Sequence, residues 1–229
     1  MRKSGRILFV CAAYCTRALG QATFSDPVDA QGWYSLSVNY APVKKWKLEA
    51  DYQYRSINNL KTYNGSYISL GVSRQVAKNL DLLTEYRLAL IQNATYHRGS
   101  IGFQYEAEAK KWEFGLRGLF QNQVQDFDDT AKPTESSGYV RFRFGVKYSV
   151  AKNVTLYGSV EPIFKINGIF ITDNWRDQIG IKYKINRNLK LDAFYIYRPD
   201  YAKRTYNRYF HILGLGLEYY LKGKKKSAS

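Results

Sequence analysis

One short element recurs five times along the chain: a basic or asparagine-bearing turn followed by a strand in which apolar and polar residues alternate. It reads Lys44-Lys45-Trp46-Lys47-Leu48, Lys78-Asn79-Leu80-Asp81-Leu82, Lys110-Lys111-Trp112-Glu113-Phe114, Lys152-Asn153-Val154-Thr155-Leu156 and Arg187-Asn188-Leu189-Lys190-Leu191. The apolar anchors Trp46, Leu80, Trp112, Val154 and Leu189 lie 34, 32, 42 and 35 residues apart. Such an interval holds two strands, one tight turn and one longer loop, so the repeating unit is a β-hairpin. The clearest case sets Trp46, Leu48, Ala50, Tyr52 and Tyr54 against Lys47, Glu49, Asp51, Gln53 and Arg55. A period of two places these sets on opposite faces of a strand.

Eleven strong strands of this kind can be counted, and no stretch shows helical period. Tyr (21) and Phe (12) are abundant and Pro (5) is scarce, which suits strands. No apolar run approaches the ~18 residues of a membrane helix, a test that says nothing about barrels. The connections read as tight, long, tight, long, so one rim carries short turns and the other all the long loops. Strands of about ten residues match the ~9–11 that cross a bilayer when tilted. These features predict an all-β, antiparallel up-and-down transmembrane β-barrel. Closure by antiparallel pairing alone needs an even number of strands. The expected count is therefore about 12, with 10 as the alternative and a poor strand near residues 23–31 making up the dozen.

Residues 1–22 read as a signal peptide: Arg2, Lys3 and Arg6, then an apolar stretch Ile7–Tyr14, then Gly20-Gln21-Ala22 as a small-residue cleavage site. Tyr14 before Cys15 makes a poor lipobox. Residues 23–31 form a polar lead segment, 32–221 the barrel and 222–229 a basic tail. Both cysteines, Cys11 and Cys15, leave with the signal, so the exported chain has neither disulfides nor Cys-based zinc sites. The formal charge of +16 falls to +8 without the four cations of the leader and the four lysines of the tail. Much of the remainder sits at the tight turns, which weakens a nucleic-acid reading and fits a rim facing lipid headgroups or acidic partners, or simply solvated turns.

Alternation leaves open which face is wet. Large aromatics on the apolar face lie near strand ends (Trp46, Tyr54, Trp112, Phe120, Tyr148, Tyr197, Tyr219), as in two interfacial girdles. The polar face carries both signs of charge in mid-strand: Glu49, Asp51, Glu85, Arg87, Arg117, Arg141, Arg143, Glu161, Lys182, Asp192 and Arg198. Inside a narrow barrel these would form a charge network in the lumen.

The Trp33-led first strand, the Lys-Lys-Trp turn, strands ending in Tyr-x-Tyr-Arg or Glu-Tyr-Arg and the Arg141-x-Arg143 strand make the chain resemble a bacterial outer-membrane family, domain of unknown function 2490. The matching stretches are Trp33 to Arg55, Lys78 to Arg87, Arg141 to Glu161 and Arg176 to Arg198. The third hairpin departs from the pattern, with Glu113, Gly115 and Arg117 in its polar row. The resemblance implies a Gram-negative outer-membrane barrel and supplies no catalytic residue, cofactor or substrate.

The functional expectation is a porin-like barrel without enzymatic activity: a narrow or charge-plugged pore, or a structural barrel. Its expected partners are membrane lipid, lipopolysaccharide, the barrel assembly machinery and small solutes. A lipid-modifying enzyme would need a rim histidine, and the chain has only His97 and His211. Asp126, Asp128 and Asp129 lack the glycine and later glutamate of a calcium loop. An adhesin or receptor would use the loop with Tyr201, Tyr206 and Tyr209 among Lys203, Arg204 and Arg208. No cofactor or metal site is expected.

Overall fold

The computed structural model describes residues 28–91, 94–127, 135–166, 170–201 and 208–221. These form the strands β1 (Val28–Tyr40), β2 (Trp46–Ile57), β3 (Thr62–Ala77), β4 (Leu80–Ile91), β5 (Ala94–Ala109) and β6 (Trp112–Phe127). Then come β7 (Glu135–Ala151), β8 (Val154–Ile166), β9 (Phe170–Lys184), β10 (Leu189–Asp200) and β11 (Arg208–Leu221). Neighbours in sequence pair in space, and β1 joins β11 to close the barrel.

The count among the described residues is eleven, between the expected twelve and ten. Ten seams are antiparallel; β1 and β11 are parallel, in register from Val28–Tyr209 to Tyr40–Leu221. An odd number leaves the first and last strands running the same way, and a parallel ladder can still pair every backbone group along that seam. Val28–Gln31, expected in the polar lead segment, are the first residues of β1. Asp29 Oδ1 accepts the Asn59 amide at 2.9 Å, and Asn59 Oδ1 accepts the Ala30 amide, so polar side chains tie this strand start to the β2–β3 turn. The signal peptide, the rest of the lead segment and the basic tail lie outside the described residues.

The five recurrent turns form one rim. Lys78-Asn79, Lys110-Lys111 and Lys152-Asn153 are two-residue links. Lys45, Asn79 and Lys110 have φ of 73°, 65° and 57°. Asparagine is among the residues that enter this left-handed region at low cost, which suits Asn79; Asn153 and Asn188 hold their turns without it. The opposite rim departs from the expected strict alternation: only residues 92 and 93 separate β4 from β5 and only 167–169 separate β8 from β9, while β6 runs on to Phe127 and β7 begins at Glu135. Past the apolar band the outward residues become polar (Asn122, Asp126, Ser136), so alternation in hydropathy fades. The ladder nevertheless continues to Gln125–Glu135. Pro162 does not end β8. It interrupts the seam with β7 between the pairs Arg141–Ile163 and Phe144–Val160, as a residue without an N–H must.

Burial is inverted relative to a water-soluble protein. Leu36, Ile101 and Ile179 on the outer face are 57%, 61% and 64% exposed, whereas Glu161 and Arg141 inside are 3% and 7% exposed. Exposed large apolar side chains occur on every strand except β10, far beyond the few hundred Å² of a soluble monomer's patches. This assigns the two faces of each strand: apolar outward, charged inward.

Candidate functional site in the barrel lumen

Eleven strands spaced about 4.8 Å and tilted about 40° make a barrel roughly 22 Å across between backbones, wide enough for side chains from both walls and a narrow space between them. That space includes two cavities, of about 370 and 320 Å³. Gln104, Arg117, Arg143, Ser159 and Gln178 line both and form the neck between them. Arg117 and Arg143 are directly paired across the β6–β7 seam, so the neck carries two adjacent guanidiniums.

Two carboxylates organise the larger cavity. Glu85 on β4 is approached by Arg87 at 3.5 Å, Arg98 at 3.4 Å and Arg117 at 3.4 Å. Glu161 on β8 accepts from Arg141 at 2.6 Å and Arg143 at 3.1 Å, with Arg176 at 3.7 Å. Six arginines thus share two glutamates. Glu49 and Asp51 also line this cavity, Asp51 accepting from Ser37 Oγ at 2.7 Å. Eight cationic and five acidic side chains line it in all, an excess of three positive charges.

The smaller cavity lies toward the tight-turn rim. Lys182 bridges Asp192 at 3.6 Å and Glu218 at 2.5 Å. Lys147 is held by Glu113 and by Glu106 at 3.5 Å. Gly115 and Gly145 face each other across β6 and β7, and nothing lies within 4 Å of where a Gly115 Cβ would stand. The departure of the third hairpin from the resemblance is therefore what opens this cavity.

The structure gathers ten of the eleven expected lumen residues around these cavities: Glu49, Asp51, Glu85, Arg87, Arg117, Arg141, Arg143 and Glu161 at the larger, Lys182 and Asp192 at the smaller. Arg198 lines neither; its guanidinium lies 4.3 Å over the Phe210 ring. Three further arginines belong to the larger cavity. Arg98 on β5 and Arg176 on β9 are each in phase with their strand's polar row. Arg55 is clamped between the rings of Trp33 and Tyr67, 3.8 Å from each centroid.

An apolar side of the lumen also went unread. Trp33, Ile196 and Ile212 form a buried cluster with Phe194 and Phe210 packed on it. Its signal was present: positions 194 and 196 on β10 break the polar row between Asp192 and Arg198. The Phe194 ring lies flat on Gly214, where an added Cβ would come within 2.0 Å of Cζ. Glycine thus lets the ring hug the wall and leaves the lumen clear.

Outside, four of the expected girdle residues cluster at the tight-turn rim. Trp46 and Trp112 open β2 and β6, Tyr148 packs on Trp112 at 4.5 Å, and Tyr219 pairs with Leu189 at the start of β10. Tyr54, stacked on Tyr63, and Tyr197, stacked on Tyr209, lie toward the other rim. Phe120 sits mid-strand instead, because β6 continues to Phe127. Both histidines lie on this outer face: His97 Nδ1 hydrogen-bonds the Tyr86 hydroxyl at 2.7 Å and His211 Nδ1 that of Tyr195 at 2.6 Å. His97 Nε2 is 3.8 Å from Asp126. Asp128, Asp129, Lys203, Arg204 and Tyr206 lie outside the described residues, and no three His, Asp or Glu side chains converge as metal ligands among those described.

The fold is that of porins. The NanC porin superposes with a TM-score of 0.53 at 13% identity, covering 84% of this chain and 99% of its own. A second porin aligns more weakly, with a TM-score of 0.37 at 9% identity over 72% of this chain and 56% of its own. No curated protein sequence matches the chain. A family model matches residues 30–209, nearly the whole barrel, and by that match the chain belongs to the family of proteins of unknown function DUF2490.

Proposed function

We propose that the protein is an outer-membrane barrel whose lumen is a narrow path for small solutes, favouring anions. The observation that carries this reading is the six arginines gathered around two buried glutamates inside a barrel whose exterior is apolar. An apolar exterior of this extent is stable in a bilayer, and an arginine-rich constriction attracts anions and repels cations. The short-turn rim then faces the periplasm, with its lysines at the headgroups and Trp46 and Trp112 entering the membrane beside them. Residues 1–22 act as the export signal, the assembly machinery inserts the barrel, and lipid and lipopolysaccharide surround it. No catalytic role is assigned: each histidine is engaged with a tyrosine on the outer face.

A second reading has its own support. Glu161 ties β7, β8 and β9 together from a fully buried position, and such clusters would plug and stiffen the barrel. Planar-bilayer recordings in a KCl gradient separate the two. The open path gives discrete conductance with a reversal potential on the chloride side. A silent wild type that conducts once Glu161 or Arg143 is neutralised supports the plug and overturns the open path.

A further inference from the structure

We infer that the larger cavity is a binding site for small organic anions that carry an apolar or aromatic ring. This deepens the reading of the lumen as a solute path and rests on it. The first ground is charge. Arg87, Arg98, Arg117, Arg141, Arg143 and Arg176 line this cavity around only two glutamates, and its lining as a whole carries three more positive than negative charges. Arginine guanidiniums donate and cannot accept. A carboxylate supplies both the missing negative charge and the acceptor oxygens where arginine forks converge.

The second ground is the other wall. Trp33 on β1 and Phe194 and Ile196 on β10 line the same cavity. In the strand order, β10, β11 and β1 stand across the barrel from β5 and β6, which carry Arg98 and Arg117. A fully hydrated inorganic ion gains nothing from an aromatic wall. An anion with a ring gains on both sides: its carboxylate meets the arginines and its ring packs by the partly buried Phe194. The volume of about 370 Å³ holds a molecule of this size together with water.

The test is calorimetry on the full barrel folded in detergent micelles, with micelle-only titrations subtracted. The probes are benzoate (charge and ring), acetate (charge alone) and benzyl alcohol (ring alone). Benzoate is expected to bind at least tenfold more tightly than either of the others. Phe194→Ala should cost benzoate at least fivefold and leave acetate unchanged. Arg98→Gln should weaken both anions, while Glu85 retains Arg87 and Arg117. Phe194→Leu keeps the apolar bulk without the flat ring and replaces Phe194→Ala if that variant does not fold. Equal affinity for benzoate and acetate, or for benzoate and benzyl alcohol, overturns the site. Bilayer recordings with the same probes keep the readings apart: benzoate binding without conductance contradicts the path but leaves the site, and conductance with no preference for benzoate does the reverse.

Discussion

Glu161→Gln is the most informative substitution in the lumen. Glu161 is 3% exposed and, among the described residues, is the one carboxylate within 4 Å of Arg141, Arg143 and Arg176. Removing its charge while keeping its shape raises the positive excess of the larger cavity from three to four. A unit charge about 6 Å from a permeating ion contributes about 0.7 kcal/mol in water-like surroundings. The term has opposite signs for an anion and a cation, so the ratio of their permeabilities changes by about 1.4 kcal/mol, or tenfold. Screening in 0.15 M salt, with a Debye length of about 8 Å, brings this toward threefold. The assay is the reversal potential of single barrels in a KCl gradient. The variant should shift toward the chloride potential by an amount equivalent to a three- to tenfold rise in the chloride-to-potassium ratio. Stability should fall at the same time, because losing one partner of a buried ion cluster typically costs about 3–5 kcal/mol, read as a lower urea midpoint in micelles. A folded variant whose selectivity is unchanged, or moves toward potassium, refutes the placement of Glu161 on the ion path.

Glycine substitutions probe the packing of the walls. Gly214→Ala must drive the Phe194 ring off the wall and into the lumen, lowering conductance and costing about 1–3 kcal/mol, whereas Gly115→Ala meets open space and should change stability little. Gly102→Ala should be the harshest of the three, since its Cβ would lie 1.9 Å from the backbone oxygen of Gly118, which cannot swing aside; a urea midpoint below that of Gly214→Ala checks this. Leu60 holds φ at 69° after Asn58 and Asn59, also left-handed, so Leu60→Gly should stabilise the barrel by up to about 1 kcal/mol in urea titration. His97→Ala and His211→Ala should leave lipid composition around the barrel unchanged by mass spectrometry, because His97 loses contacts to Tyr86 and Asp126 and His211 one to Tyr195, all on the outer face.

Much of the barrel was legible in the sequence because a period of two sorts residues onto faces without knowledge of the partner strand. Glu85, Arg117, Arg141 and Glu161 were placed in the lumen by phase alone. Strand ends were harder to read. Once β6 and β7 pass the apolar band, the outward positions Asn122, Asp126 and Ser136 are as polar as the inward ones. Only the ladder, invisible in composition, marks the strand. This is why Arg98 and Arg176 were left out of the lumen and Phe120 was put near an end. The parallel β1–β11 seam was equally hidden, since pairing direction between the first and last strands depends on the parity of the whole count. The apolar cluster of Trp33, Phe194 and Ile212 breaks the expected rule that inward residues are polar, and such local breaks are where function-specific chemistry tends to appear.

Fractionation of cells producing the full chain, followed by gel electrophoresis of the outer-membrane fraction with and without heating, tests whether this inverted barrel sits in the outer membrane. The protein is expected in that fraction, with an unheated band that migrates faster than the boiled one because the closed ladder resists detergent. Recovery in the soluble fraction, or a single band unaffected by heating, would contradict it.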